Sequence, residues 1–130
     1  MLAAVITAKN EQEALNDIKK TKNSDLIELR IDFMKNLNKI TLKNLIKNSK
    51  KPVIVTNRNS LQGGFFNGNE KSRIDMLKTA VENDADYIDI EFSSDKNSIK
   101  SLINNKKNTK IIVSYHNFKE TPANLNAIYN

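Results

Sequence analysis

The chain has 130 residues, of which 38% are apolar, and this is enough for one domain with a modest core. It has no cysteine, so disulfides and thiolate metal sites are excluded. The formal net charge of +6 raises the question of a nucleic-acid partner, but lysines such as Lys19, Lys47 and Lys106 fall at the ends of predicted helices. No aromatic residues lie among them to stack on bases, so no nucleic-acid partner is expected.

Five short apolar runs rich in β-branched residues are predicted to be strands. Each run is nearly continuous, as expected of strands that are buried on both faces of a parallel sheet. The runs are residues 2–7, 25–30, 52–56, 86–91 and 110–115.

Amphipathic segments lie between the runs and are predicted to be helices. Asn10, with Glu13 three residues later, marks the start of the first. The next three are centred on residues 42–46, 74–81 and 99–103, and a fifth is predicted to begin at Thr121-Pro122. The alternation predicts an α/β fold with a parallel sheet, either doubly wound and open or part of a closed barrel. No G-x-G-x-x-G or P-loop follows a strand, which argues against nucleotide binding.

Polar residues gather at the carboxyl ends of the predicted strands, where parallel α/β folds place their reactive groups. They include two of the three arginines and the single histidine of the chain. Since lysine serves most basic positions, an arginine suggests a need for its planar, two-point guanidinium. The residues are Glu28, Arg30, Arg58, Asp89, Glu91, Ser114 and His116.

Each of these residues also has a purely structural interpretation. For Asp89 and Glu91, pairing with an arginine inside a barrel explains their presence as well as a functional role does. In the structural interpretation, Arg30 pairs with Glu28 or Glu91 instead of binding a ligand. Arg73, in the third helix, is predicted to be structural.

The loop after the third strand contains all three glycines, in LQGGFFNGNE. Glycine permits unusual backbone angles, and loops at this end of a sheet often close over substrates. Phe65 and Phe66 favour a substrate lid over a plain surface loop.

This set of residues suits a small anionic substrate and acid–base chemistry. Arginines bind carboxylates through paired hydrogen bonds, and histidine exchanges protons near neutral pH. A carboxylate such as Glu28 or Glu91 can orient the histidine. No metal or cofactor is expected, which favours an elimination or isomerisation. The set lacks an electron sink, because no lysine ends a strand.

Four segments resemble type I 3-dehydroquinate dehydratases in order and spacing. They are ELRID (28–32), PVIVTNR with GG (52–64), ADYIDIEF (85–92) and IIVSYHNF with TP (111–122), and they span nearly the whole chain. The resemblance implies a (βα)8 TIM barrel, of which residues 1–130 would be a single domain holding the first five βα units. The chain would then stop within the fifth helix.

The resemblance further implies a shikimate-pathway enzyme that removes water from 3-dehydroquinate by syn elimination through a lysine Schiff base. It assigns His116 as the catalytic acid and base and Glu28, Arg30 and Arg58 as substrate-binding residues. Asp89, and with it Glu91 and Gln62, would line the site. A cytoplasmic protein is expected, with no membrane partner and a homodimer at full length.

Two departures and one gap qualify this expectation. Gln62 stands where the family usually has glutamate, which predicts a weaker base, and Asn117 stands where aspartate is common. The family's lysine lies on the sixth strand, past residue 130, so the 130-residue chain alone is expected to be inactive. The alternatives are a non-catalytic or partner-dependent half-barrel that binds a carboxylate, and another Schiff-base barrel of the aldolase type.

Overall fold

The computed structural model describes residues 1–115. Its strands are β1 (Ala3–Ile6), β2 (Leu26–Arg30), β3 (Val53–Thr56), β4 (Tyr87–Glu91) and β5 (Lys110–Ser114). Its helices are α1 (Glu11–Lys19), α2 (Lys39–Asn48), α3 (Glu70–Glu82) and α4 (Lys96–Asn105), with short 3₁₀ turns at Ile31–Phe33 and Ser60–Gln62. His116 and the helix predicted at Thr121 lie outside the described residues.

The five strands form one parallel sheet in the order β1-β2-β3-β4-β5. A doubly wound sheet reverses its strand order at a switch point, and the described strands show no reversal. Each βα unit instead adds its strand beside the previous one, so right-handed crossovers place the helices on the same face. Of the two architectures that the sequence left open, this is the TIM-barrel arrangement, with the barrel incomplete over the five strands.

The core lies between the sheet and the helices. Alternate strand residues such as Ile27, Leu29 and Val55 are buried there against Leu42 and Leu77 of the helices. The residues between them point to the opposite face, which is the interior side in a barrel. Across that face the register aligns four residues on neighbouring strands: Arg30, Thr56, Asp89 and Ile112.

Asparagine and aspartate side chains begin the helices. Asn10 Oδ1 accepts a hydrogen bond from the Glu13 backbone N–H at 2.8 Å, which confirms the predicted helix start. Asn38, Asn69 and Asp95 cap α2, α3 and α4 in the same way. These caps fix the loops at the carboxyl ends of the strands, where the candidate site lies. None of the helices in residues 1–115 has the length and apolar content to cross a lipid bilayer.

Candidate active site

The end of β2 places Glu28 and Arg30 on the open face of the sheet. Glu28 Oε1 accepts a hydrogen bond from Thr56 Oγ1 on β3 at 2.8 Å. Arg30 binds neither Glu28 nor Glu91, so the pairing suggested by the sequence is wrong. Its Nε and Nη2 instead donate to the two carboxylate oxygens of Asp32, at 3.0 and 2.8 Å. The chain turns into a 3₁₀ helix directly after Arg30, which brings the Asp32 side chain back beside the guanidinium.

Aromatic rings and backbone surround this ion pair. The Arg30 guanidinium lies 5.0 Å from the centre of the Phe33 ring, and Phe33 packs on Phe65 with ring centres 4.6 Å apart. Burial alone would lower the pKa of Arg30, but the hydrogen bond to Asp32 and the charges of Asp32, Glu28 and Asp89 raise it above its ordinary value. Arg30 therefore keeps its positive charge in this half-buried position.

Arg58, Asp89 and Ser114 form a second polar cluster at the ends of β3, β4 and β5. Arg58 Nη1 donates to Ser114 Oγ at 2.8 Å and lies 3.1 Å from Asp89 Oδ1. Ser114 Oγ in turn donates to Asp89 Oδ1 at 2.6 Å. The prediction that Asp89 pairs with an arginine is confirmed. The cluster joins three strand ends and holds the Arg58 side chain in one direction.

Glu91 lies deeper and pairs with the arginine of α3. Arg73 Nη1 donates to Glu91 Oε2 at 2.6 Å, and both side chains are almost fully buried. Burial would lower the pKa of Arg73, but its hydrogen bonds and ion pairs with Glu70 and Glu91 raise it. The pairing of Glu91 with an arginine is confirmed, and its partner is Arg73 more closely than Arg58, whose Nη1 lies 3.8 Å away.

The loop after β3 folds back onto the backbone of Arg58. The N–H groups of Phe66 and Gly64 donate to the carbonyl oxygens of Arg58 and Asn59, and the Phe65 N–H donates to Asp32 Oδ2. A Cβ atom on Gly64 would lie 2.1 Å from the Arg58 carbonyl oxygen, so only glycine fits there. Gln62 is half-buried in the 3₁₀ turn of this loop. In this arrangement the loop is fastened to both arginine clusters.

A cavity in the described part of the chain adjoins these clusters, but neither arginine lines it. Its volume is about 860 Å³, and it lies between the loops that follow β2 and β3. Asp32 and Phe65 line it, together with Asn57, whose Oδ1 has no hydrogen-bond partner among the described residues. Glu28, Arg30 and Arg58 face the open side of the sheet instead. We place the candidate site there because charged side chains converge on it. No group of three His, Cys, Asp or Glu side chains suited to a metal occurs in residues 1–115.

Comparison with known proteins decides the family. The profile of the family described as type I 3-dehydroquinase matches residues 2–130. The chain belongs to this family. A 3-dehydroquinate dehydratase of Methanothermobacter thermautotrophicus is 42% identical over 100 residues, which are 77% of this chain and 44% of the relative. One from Methanococcus maripaludis is 36% identical over 125 residues, 94% of this chain and 56% of the relative.

Solved structures agree with the type I 3-dehydroquinase assignment. The enzyme of this type from Clostridium difficile, described with covalently modified comenic acid, superposes with a TM-score of 0.85 at 27% identity. The match covers 95% of this chain and 53% of that structure. This chain thus spans about half the length of its relatives.

In this type I 3-dehydroquinase chain, the sequence predicts most of the residues at the strand ends but not the role of Asp32. The signal for Asp32 is its position two residues after Arg30. Arg73 is structural, as predicted, but the sequence does not identify Glu91 as its partner.

Proposed function

We propose that this chain is part of a 3-dehydroquinate dehydratase, and that residues 1–130 form the first five βα units of its single TIM-barrel domain. The observation that carries the proposal is the convergence of Glu28, Arg30, Arg58 and Asp89 at the carboxyl ends of three neighbouring strands. It is supported by the membership of the chain in the type I 3-dehydroquinase family.

Arg30 and Arg58 would bind the carboxylate and hydroxyl groups of 3-dehydroquinate. Both are held by carboxylates of the chain, Asp32 and Asp89, so their guanidinium groups are oriented before substrate arrives. Glu28, with one oxygen bound to Thr56, would accept a hydrogen bond from a substrate hydroxyl. The acidic ligand in the Clostridium difficile structure fits a site that favours anions.

The proposed reaction removes water through an imine. A lysine beyond residue 130 would condense with the substrate ketone, releasing one water and making the adjacent C–H acidic. His116 would take that proton as a base and return one to the leaving hydroxyl as an acid, so the second water departs. Hydrolysis of the imine would then release 3-dehydroshikimate and the free lysine.

Gln62 and Asp89 would line this site. Asp89 would act mainly on the direction of Arg58, because its Oδ1 already lies within hydrogen-bond distance of Arg58 and Ser114. Glu91, at 2% exposure, has little surface to offer a substrate, which favours a supporting place in the lining. We also propose that the full-length protein is a cytoplasmic homodimer.

The test is an intact mass measurement on the native gene product, purified from its source cells. The product is incubated with 3-dehydroquinate, reduced with borohydride and compared with a sample that lacks substrate. We expect a polypeptide longer than 130 residues that gains the mass of one reduced adduct, and 3-dehydroshikimate in the unreduced reaction. A 130-residue polypeptide that binds a carboxylate but gains no adduct would instead support the half-barrel alternative.

A further inference from the structure

We propose that Arg73 is a positioning residue of this site, which acts on substrate binding through the backbone on either side of Arg58. The inference rests on the proposed function, in which Arg58 contacts the substrate. Arg73 itself lies at the start of α3 and is 1% exposed, so it offers almost no surface to a substrate.

The buried Arg73–Glu91 ion pair holds the backbone on both sides of Arg58, and we call this arrangement the clamp. Arg73 Nη1 donates to the carbonyl oxygen of Asn57 at 2.9 Å and to Glu91 Oε2 at 2.6 Å. The other carboxylate oxygen of Glu91 accepts the backbone N–H of Asn59 at 2.9 Å. The peptide groups before and after Arg58 are thus both fastened to the Arg73–Glu91 pair.

The guanidinium of Arg73 is itself fixed in plane. Its Nε and Nη2 donate to the two oxygens of Glu70, at 2.9 and 2.5 Å, and Nη2 also donates to Ser94 Oγ at 3.0 Å. With the two bonds from Nη1, all five N–H donors of the arginine are engaged. A lysine has three donors around a single nitrogen and cannot occupy these positions together, so the position requires arginine.

The clamp explains how Arg58 keeps its direction. β3 ends at Thr56, so no sheet hydrogen bonds hold Arg58 and its neighbours; their backbone is held by the clamp together with the loop N–H groups of Gly64 and Phe66. The side chain of Arg58 nevertheless meets Ser114 and Asp89 at 2.8 and 3.1 Å. Because a displacement of about 1 Å is enough to weaken a preorganised contact strongly, the buried pair sets the geometry of the guanidinium.

The test compares Arg73→Lys and Glu91→Gln in the full-length gene product with Leu77→Val. Leu77 is also buried in α3, one turn later, but its side chain has no polar atom with which to bind the backbone near Arg58, so its variant controls for general destabilisation. Arg73→Lys and Glu91→Gln should each raise KM for 3-dehydroquinate by about fivefold or more while kcat changes less. The rise in KM in the double variant should be smaller than the product of the two single rises, because both residues act on one clamp. Leu77→Val should lower Tm and leave KM unchanged.

A second readout does not depend on turnover. In arginine-labelled protein, the Nε–H NMR signal of Arg58, assigned with Arg58→Lys, should shift or broaden in Arg73→Lys but not in Leu77→Val. An unmoved Arg58 signal together with wild-type KM in Arg73→Lys would overturn the inference. Absence of dehydration by the wild-type protein would instead count against the proposed function, and the Arg58 signal would still decide whether the clamp operates.

Discussion

Arg30 and Asp32 form a two-point ion pair directly after β2, and the same Asp32 carboxylate accepts the backbone N–H of Phe65 from the neighbouring loop. One buried carboxylate thus fixes an arginine of the candidate site and fastens the loop beside it. Since Phe65 also packs on Phe33, whose ring lies under the Arg30 guanidinium, the loop and the arginine form one connected unit.

Replacing Asp32 with asparagine tests this unit. Asparagine keeps the size of the side chain but removes the charge and one acceptor, so Arg30 loses its two-point partner. We expect the free energy of unfolding to fall by about 1–3 kcal/mol, and KM for 3-dehydroquinate to rise. Urea denaturation and steady-state kinetics of the full-length protein measure the two effects. Asp25→Asn, at an exposed carboxylate that binds the Leu2 N–H, should change stability by less than about 0.5 kcal/mol.

Arg58→Lys should weaken substrate binding more than it weakens the fold. Lysine keeps the charge but offers no planar pair of donors to a carboxylate, and it loses the contact of Nη1 with Ser114 and Asp89. We expect KM to rise by roughly 10- to 100-fold, the equivalent of one or two charge-assisted hydrogen bonds. Ser114→Ala, which removes only the hydroxyl between Arg58 and Asp89, should have a smaller effect. Equal KM values in Arg58→Lys and the wild type would contradict the assigned role.

Gly64→Ala should disrupt the loop after β3. The new Cβ would meet the carbonyl oxygen of Arg58 at 2.1 Å, so the backbone of one of the two segments must move. We expect a loss of roughly 1–3 kcal/mol in unfolding free energy, measured by chemical denaturation. Gly63→Asn is the control, because its backbone φ of 80° is left-handed and asparagine adopts that region at small cost. Similar losses in the two variants would argue against a specific contact at Gly64.

Gln62→Glu tests the departure of this chain from its family. In the proposed site, where this position lies near the catalytic histidine, a carboxylate would stabilise the charged form of His116 better than an amide would, which would make the histidine a stronger base. The acidic limb of the pH profile of kcat/KM should therefore move to higher pH, by up to about one unit, with a higher rate on the plateau above it. Gln62→Asn is the uncharged control. An unchanged rate and profile in Gln62→Glu would refute the role given to this position.

The fold was largely predictable because hydrophobic patterning determines it. Each observed strand begins and ends within one residue of its predicted run, since every run was a nearly continuous apolar segment between polar turns. Asn10 marked the start of α1 through a local hydrogen bond that depends on sequence spacing alone. The choice between an open sheet and a barrel arrangement was not predictable in this way, because strand order depends on which edge each unit joins.

The candidate site was predictable in its residues but not in its pairings. The carboxyl ends of parallel strands share one edge, so Arg30, Arg58 and Asp89 were expected near one another. The carboxylate that each arginine binds depends on side-chain conformations, which the spacing of residues along a strand does not determine. Asp32 reaches Arg30 through a 3₁₀ turn, and Arg73 reaches Glu91 through the placement of α3. Both features arise only from packing.

The sequential order of the sheet has a consequence for folding during synthesis. Every strand pairs with the strand made just before it, so each βα unit has a docking surface as soon as it leaves the ribosome. The contact between Arg58 and Ser114, by contrast, joins residues 56 positions apart and needs β5 in place. The hydrophobic layers can therefore condense unit by unit, while the polar cluster at the strand ends is completed among the last events of this half of the barrel.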